Sequence, residues 1–145
     1  MKKILILAAV LAAVLLADSH MSGKVTYFDS GRLKAAFAKG MPLIEIENYK
    51  VHASHRDGAG TVEVHERDTD IVYVLEGSAT LVTGGEMVDG KPIAKEEIRG
   101  ASIRGGETRR IVPGDVIIIP NGVPHWFKEV PGPLNYYVVK VRSEK

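Results

Sequence analysis

The 145-residue sequence contains no cysteine. That excludes a disulfide framework, a lipid-modified cysteine anchor and any thiolate metal site, so the fold must be held by packing and by whatever non-thiol ligands it carries. Charge of one sign is equally scarce: 19 Lys and Arg stand against 18 Asp and Glu, a formal net charge of +1, with no sustained basic tract. Nucleic acid is therefore not an expected partner. Apolar runs long enough to span a bilayer are missing too, since the stretch from Ile4 to Ala17 stops at 14 residues where about 20 are needed. No internal repeat or low-complexity tract interrupts the chain.

What is present begins with that short apolar stretch. Lys2 and Lys3 precede it and Leu15-Leu16-Ala17 closes it, the layout of a secretory signal peptide over residues 1–17. The expectation is a periplasmic or secreted protein with no stable membrane anchor after processing. The remainder suits one globular unit with one core. It divides into an N-terminal segment, 18–42, and a β domain, 43–145. Ser30 to Lys39 reads as a short helix with Asp29 or Ser30 as cap and Gly40 as stop. β-rich runs follow at 43–56, 61–66, 70–76, 79–83, 101–104, 108–112, 115–119, 125–130 and 134–142, mostly separated by glycines. This is the spacing of an all-β barrel or sandwich.

Two clusters carry chemistry. In Thr61-Val62-Glu63-Val64-His65, Glu63 and His65 stand two apart on a strand, so they share a face with side-chain origins about 7 Å apart, close enough for one ion between their tips. Asp70 opens the next strand and can return beside His65 in an antiparallel hairpin. Far downstream, Gly114 leads into the buried run Val116 to Ile119, then Pro120 and Gly122 turn the chain so that His125 starts a second strand. Taken alone, the alternation Val62, Glu63, Val64, His65 equally describes a half-buried strand with its polar face in water.

Together the clusters resemble the two motifs of the cupin family. Glu63-x-His65, four residues, Asp70, six residues and Gly77 follow the latter part of the first motif, and Gly114, five residues, Pro120, one residue, Gly122, two residues and His125 follow the second. Glu63 stands where the family usually has a His, Asp70 where it has Glu, and Glu129 where it has Asn; Gly58 lies one residue from the expected leading Gly. The resemblance implies a double-stranded β-helix, a jelly-roll barrel with one short N-terminal helix. It also implies a divalent metal held by Glu63, His65, Asp70 and His125. Two imidazoles and two carboxylates suit Fe, Mn, Zn or Ni, with Glu63 either a ligand or a general base.

Other residues have weaker claims. His52 and His55 are three apart, so at most one can face the interior. Arg104, Arg109 and Arg110 sit among Glu96, Glu97 and Glu107, as on an ordinary solvated face. Parity puts Phe127 on the side of His125 and Trp126 on the other. The polar stretch from Gly84 to Ile98 reads as an added loop or β-hairpin, serving as lid, dimer contact or inert insertion. Three functions follow: a metal-dependent enzyme on a small polar organic molecule, of oxygenase, isomerase or lyase type; a non-catalytic binder of metal or small ligand; and a metal-free barrel that assembles through its surface. A homodimer is expected, with the exposed edge of the terminal strand Leu134 to Arg142 pairing across it.

Overall fold

Alternation with period two builds the body of the molecule. The computed structural model describes residues 23–144, so the expected signal peptide lies outside the described residues. In β4 (Asp68–Glu76) the residues Asp68, Asp70, Val72 and Val74 are buried while their neighbours are not, and in β13 (Leu134–Arg142) Leu134, Tyr136 and Val138 repeat the pattern. Such strands must bury one face against another layer.

They do so in two antiparallel sheets. The first has the order β1 (Met41–Glu45), β2 (Tyr49–Arg56), β13, β4 and β11 (Val116–Ile119). The second runs β10 (Glu107–Ile111), β5 (Ala79–Thr83), β12 (His125–Glu129), β3 (Val62–His65), β8 (Glu97–Gly100) and β7 (Lys91–Ala94), while β6 (Glu86–Val88) pairs with β9 (Ser102–Arg104). Side chains from both sheets form the core: Val72, Val74, Leu134, Tyr136 and Val138 meet Ala79, Leu81, Ile111 and Phe127. This is the double-stranded β-helix expected of the sequence.

The helix forms where expected, α1 (Ser30–Lys39). The Asp29 side chain accepts a hydrogen bond from the Arg32 amide at 2.9 Å, and Gly40, at φ 62°, donates its amide to the Phe37 carbonyl. Phe37 meets Tyr137 edge-on at 5.0 Å, which seats the helix on the outer face of the first sheet. Among the described residues, no helix is long and apolar enough to cross a membrane.

Two expectations are corrected. The terminal strand is not an edge: β13 lies between β2 and β4 and is paired on both sides along most of its length. Position in the chain does not give position in a sheet, and here the last strand fills the centre. It cannot pair across a dimer; among the described residues, the edge strands of the first sheet are β1 and β11. The expected single strand 43–56 is a hairpin, β1 and β2, bent at Ile46 where its amide returns to the Tyr49 carbonyl at 3.0 Å.

The stretch from Gly84 to Ile98 supplies β6, β7 and the start of β8. β8 pairs with β3 in the register Glu63 to Arg99 and His65 to Glu97. The insertion therefore extends the second sheet directly beside the motif residues.

Candidate metal centre

Strand register assembles the site. His125 is the cross-strand partner of Glu63, and Ile119 of Asp70, so both motif segments converge at one end of the barrel. The turn before His125 is anchored by the Gly122 amide donating to the His65 carbonyl at 2.8 Å and by Asn121 Nδ2 donating to the Glu66 carbonyl at 3.1 Å. Gly122 sits at φ 80°, the left-handed conformation that lets the chain reverse there.

One potential donor atom from each of Glu63, His65 and His125 lies within 4.8 Å of the others. Asp70 stands alongside, its Oδ2 3.3 Å from His65 Nε2 and 3.8 Å from His125 Nε2. Both imidazoles and Asp70 are buried. They border a cavity of about 370 Å³ whose walls also present His52, Arg56, Glu97, Arg99, Phe127, Tyr136 and Lys140.

Hydrogen bonds set the orientation of both rings. His65 Nδ1 lies 2.8 Å from a Glu97 carboxylate oxygen and His125 Nδ1 3.1 Å from the Val123 carbonyl. Both partners can only accept, so each Nδ1 carries hydrogen, and in the neutral ring each Nε2 offers its lone pair inward. A carboxylate behind a histidine is the usual support of a metal-binding imidazole.

Electrostatics divides the group. Burial holds His125 below its ordinary value, against the pull of the Val123 carbonyl and the nearby carboxylates. Burial acts in the same sense on His65 but is outweighed, chiefly by Asp70, and the net shift is upward. For Glu63, burial would raise the carboxyl, but Arg99 foremost, then His125 and Arg56, bring it below the ordinary glutamate range. Asp70 is likewise lowered, burial being overcome by His65 and Lys140.

Sequence reasoning missed four participants: Arg56, Glu97, Arg99 and Lys140. Arg56 donates to the Tyr136 hydroxyl at 3.0 Å and to Glu63 at 3.1 Å while lying over the Phe127 ring. Arg99 NH1 stands 2.6 Å from the other Glu63 oxygen, close enough for an ion pair but without an aligned hydrogen bond. Lys140 Nζ donates to Asp70 at 2.7 Å and to His65 Nε2 at 2.8 Å. Glu97 and Arg99 are two apart, the signal of a shared strand face, but they lie in the stretch whose strands were not separately anticipated. Lys140 was hidden by an apolar strand.

Of the secondary expectations, His52 does border the cavity, paired with Glu45 at 2.8 Å, while His55 turns the other way to Asn135. Phe127 is buried against Tyr136, and Trp126 points away, its Nε1 donating to the Gly60 carbonyl at 2.8 Å. Arg104, Arg109 and Arg110 remain on an exposed face.

The profile of the family described as Cupin matches residues 23–143. No curated protein matches the sequence. Among solved structures, protein BH2720 from Bacillus halodurans is similar with a TM-score of 0.59 at 15% identity, covering 86% of each chain. NMB1881 from Neisseria meningitidis follows at 0.54 and 13%, covering 80% of this chain and 99% of that one. A conserved protein with a double-stranded β-helix domain from Klebsiella pneumoniae gives 0.52 and 16%, covering 82% of this chain and 91% of that one. At these identities the likeness speaks for the fold.

Proposed function

The chain belongs to the cupin family, and from that premise we propose that it binds one divalent transition metal through Glu63, His65 and His125, with Asp70 beside them, and acts on a small polar organic molecule in the adjoining cavity. The observation that carries this reading is the pair of imidazoles whose Nδ1 atoms are tied back to Glu97 and Val123, leaving both Nε2 atoms inward. The donor set fits Fe, Mn, Zn or Ni: imidazole nitrogen and carboxylate oxygen without thiolate. Such an ion supplies Lewis-acid polarisation of substrate oxygens.

The remaining chemistry belongs to the protein. Glu63, held ionised by two guanidinium groups, serves better as ligand than as base, since its affinity for a proton is reduced. Arg99 keeps a buried nitrogen without an aligned hydrogen-bond partner, and Arg56 lies over the Phe127 ring with its Cζ 4.5 Å from the centroid. Both favour an anionic group, such as a carboxylate, on the organic molecule. Phe127 and Tyr136 form the apolar wall against which its carbon skeleton rests.

Metal content tests the reading. Protein purified without chelator or affinity metal should carry, or take up, close to one transition-metal ion per chain. His65→Ala and His125→Ala should each abolish uptake; unchanged content in either variant overturns the site. A second reading has its own support: the carboxylates at the centre are already engaged, Glu63 by Arg56 and Arg99, Asp70 by Lys140 and Glu97 by His65, which leaves no free base among them. That favours a non-catalytic binder. A screen of small organic acids with oxygen-uptake and product detection separates the two, turnover with any of them excluding the binder.

A further inference from the structure

Lys140 occupies the same donors that a metal would need. Its Nζ lies 2.7 and 2.8 Å from the two Asp70 oxygens and 2.8 Å from His65 Nε2. Because Glu97 keeps hydrogen on Nδ1, His65 has a single lone pair, on Nε2, and Lys140 is using it. An ammonium has only donors and a metal ion only vacant orbitals, so the two cannot share that lone pair.

Resting on the metal reading above, we propose that the Lys140 ammonium is a built-in competitor for the metal. It holds the metal-free site together by satisfying buried Asp70 and His65, and a divalent ion enters only by displacing it. The side chain rises from the central strand β13, opposite Asp70 in register, so a change of rotamer can withdraw the ammonium while the backbone stays paired. The displaced cation remains in the wall of the cavity with Arg56 and Arg99. Metal binding thereby frees a positive group at the moment the site becomes ready for an anion.

The test is titration of metal-free protein with Co(II), read by visible absorption and calorimetry. Lys140→Met should bind Co(II) at least about tenfold more tightly than the unaltered chain, the scale of one lost charge-assisted contact. Lys140→Gln, which keeps a donor for Asp70, should also tighten binding and carries the test if Lys140→Met does not fold without metal. Lys50 borders the same cavity but pairs with Asp68 at 3.0 Å; Lys50→Met should shift affinity by less than about threefold, as a screened charge does.

Co(II) bound more tightly by Lys140→Met than by the unaltered chain, and lost from the variant on adding His65→Ala, would support competition. Equal or weaker affinity in both Lys140 variants overturns the proposal while leaving the metal site standing. Equal tightening by Lys50→Met also overturns it, reducing the effect to net charge. No binding by any of these proteins overturns the metal reading and the competitor together.

Discussion

His125 illustrates how burial sets the behaviour of a single residue. Held below its ordinary value of 6.5, it binds a proton less readily in the folded than in the unfolded chain. A group of that kind stabilises the fold above its unfolded value, and the contribution is lost as pH falls through the folded value. Glu63 and Asp70, also lowered, act in the same sense from their ordinary 4.5 and 3.8 downward. His65 is raised, so its contribution is complete below 6.5 and is lost as pH rises through its folded value. In metal-free protein, His125→Gln should therefore lose less stability than the unaltered chain between about pH 7 and about pH 5. Urea midpoints at the two pH values check this, and equal losses would show that His125 does not contribute to the slope.

At the scale of the element, two glycines of the motifs have different reasons for being glycine. Gly122 turns the chain toward His125 at φ 80° with open space where a Cβ would stand. Gly77 closes β4 at φ 83°, and there a Cβ would meet the Pro133 carbonyl oxygen at 2.1 Å. Gly122→Ala should cost only the left-handed conformation, about 1–2 kcal/mol. Gly77→Ala adds a collision with backbone and should cost more than about 4 kcal/mol or prevent folding. Thermal melts of the two variants measure the contrast, and similar losses would refute the steric account.

The motif spacing made these elements legible beforehand, because Gly, Pro and alternating β-branched residues act locally. The helix was legible for the same reason, through Asp29 and Gly40. Glu97 and Arg99 were not: among so many charged neighbours their strand could be recognised only by its pairing with β3.

Across the whole molecule, core and site occupy the same interior. Leu81 and Leu134 are fully buried where the two sheets meet, while His65, Asp70 and His125 are buried beside the cavity. Leu81→Ala should lower stability by about 2–5 kcal/mol through lost burial and the space left behind. Co(II) affinity of the folded variant should stay close to that of the unaltered chain, because Leu81 belongs to the apolar core and is not part of the cavity wall. Urea unfolding and Co(II) titration together check this, and a large loss of affinity would show that core and site are coupled.

The amino-acid order by itself determined the β class, the capped helix, and the shared face of Glu63 and His65, since these follow from backbone periodicity and turn chemistry within a few residues. It also brought Asp70 and His125 into the account through motif spacing. Only the tertiary structure decided that β13 is central rather than an edge, and that Arg56, Glu97, Arg99 and Lys140 close around the imidazoles. Those contacts join residues up to 80 positions apart, as Arg56 to Tyr136, with His65 and Lys140 75 apart. Which charges meet inside a barrel depends on strand order and register, and these are set by the packing of the sheets as a whole.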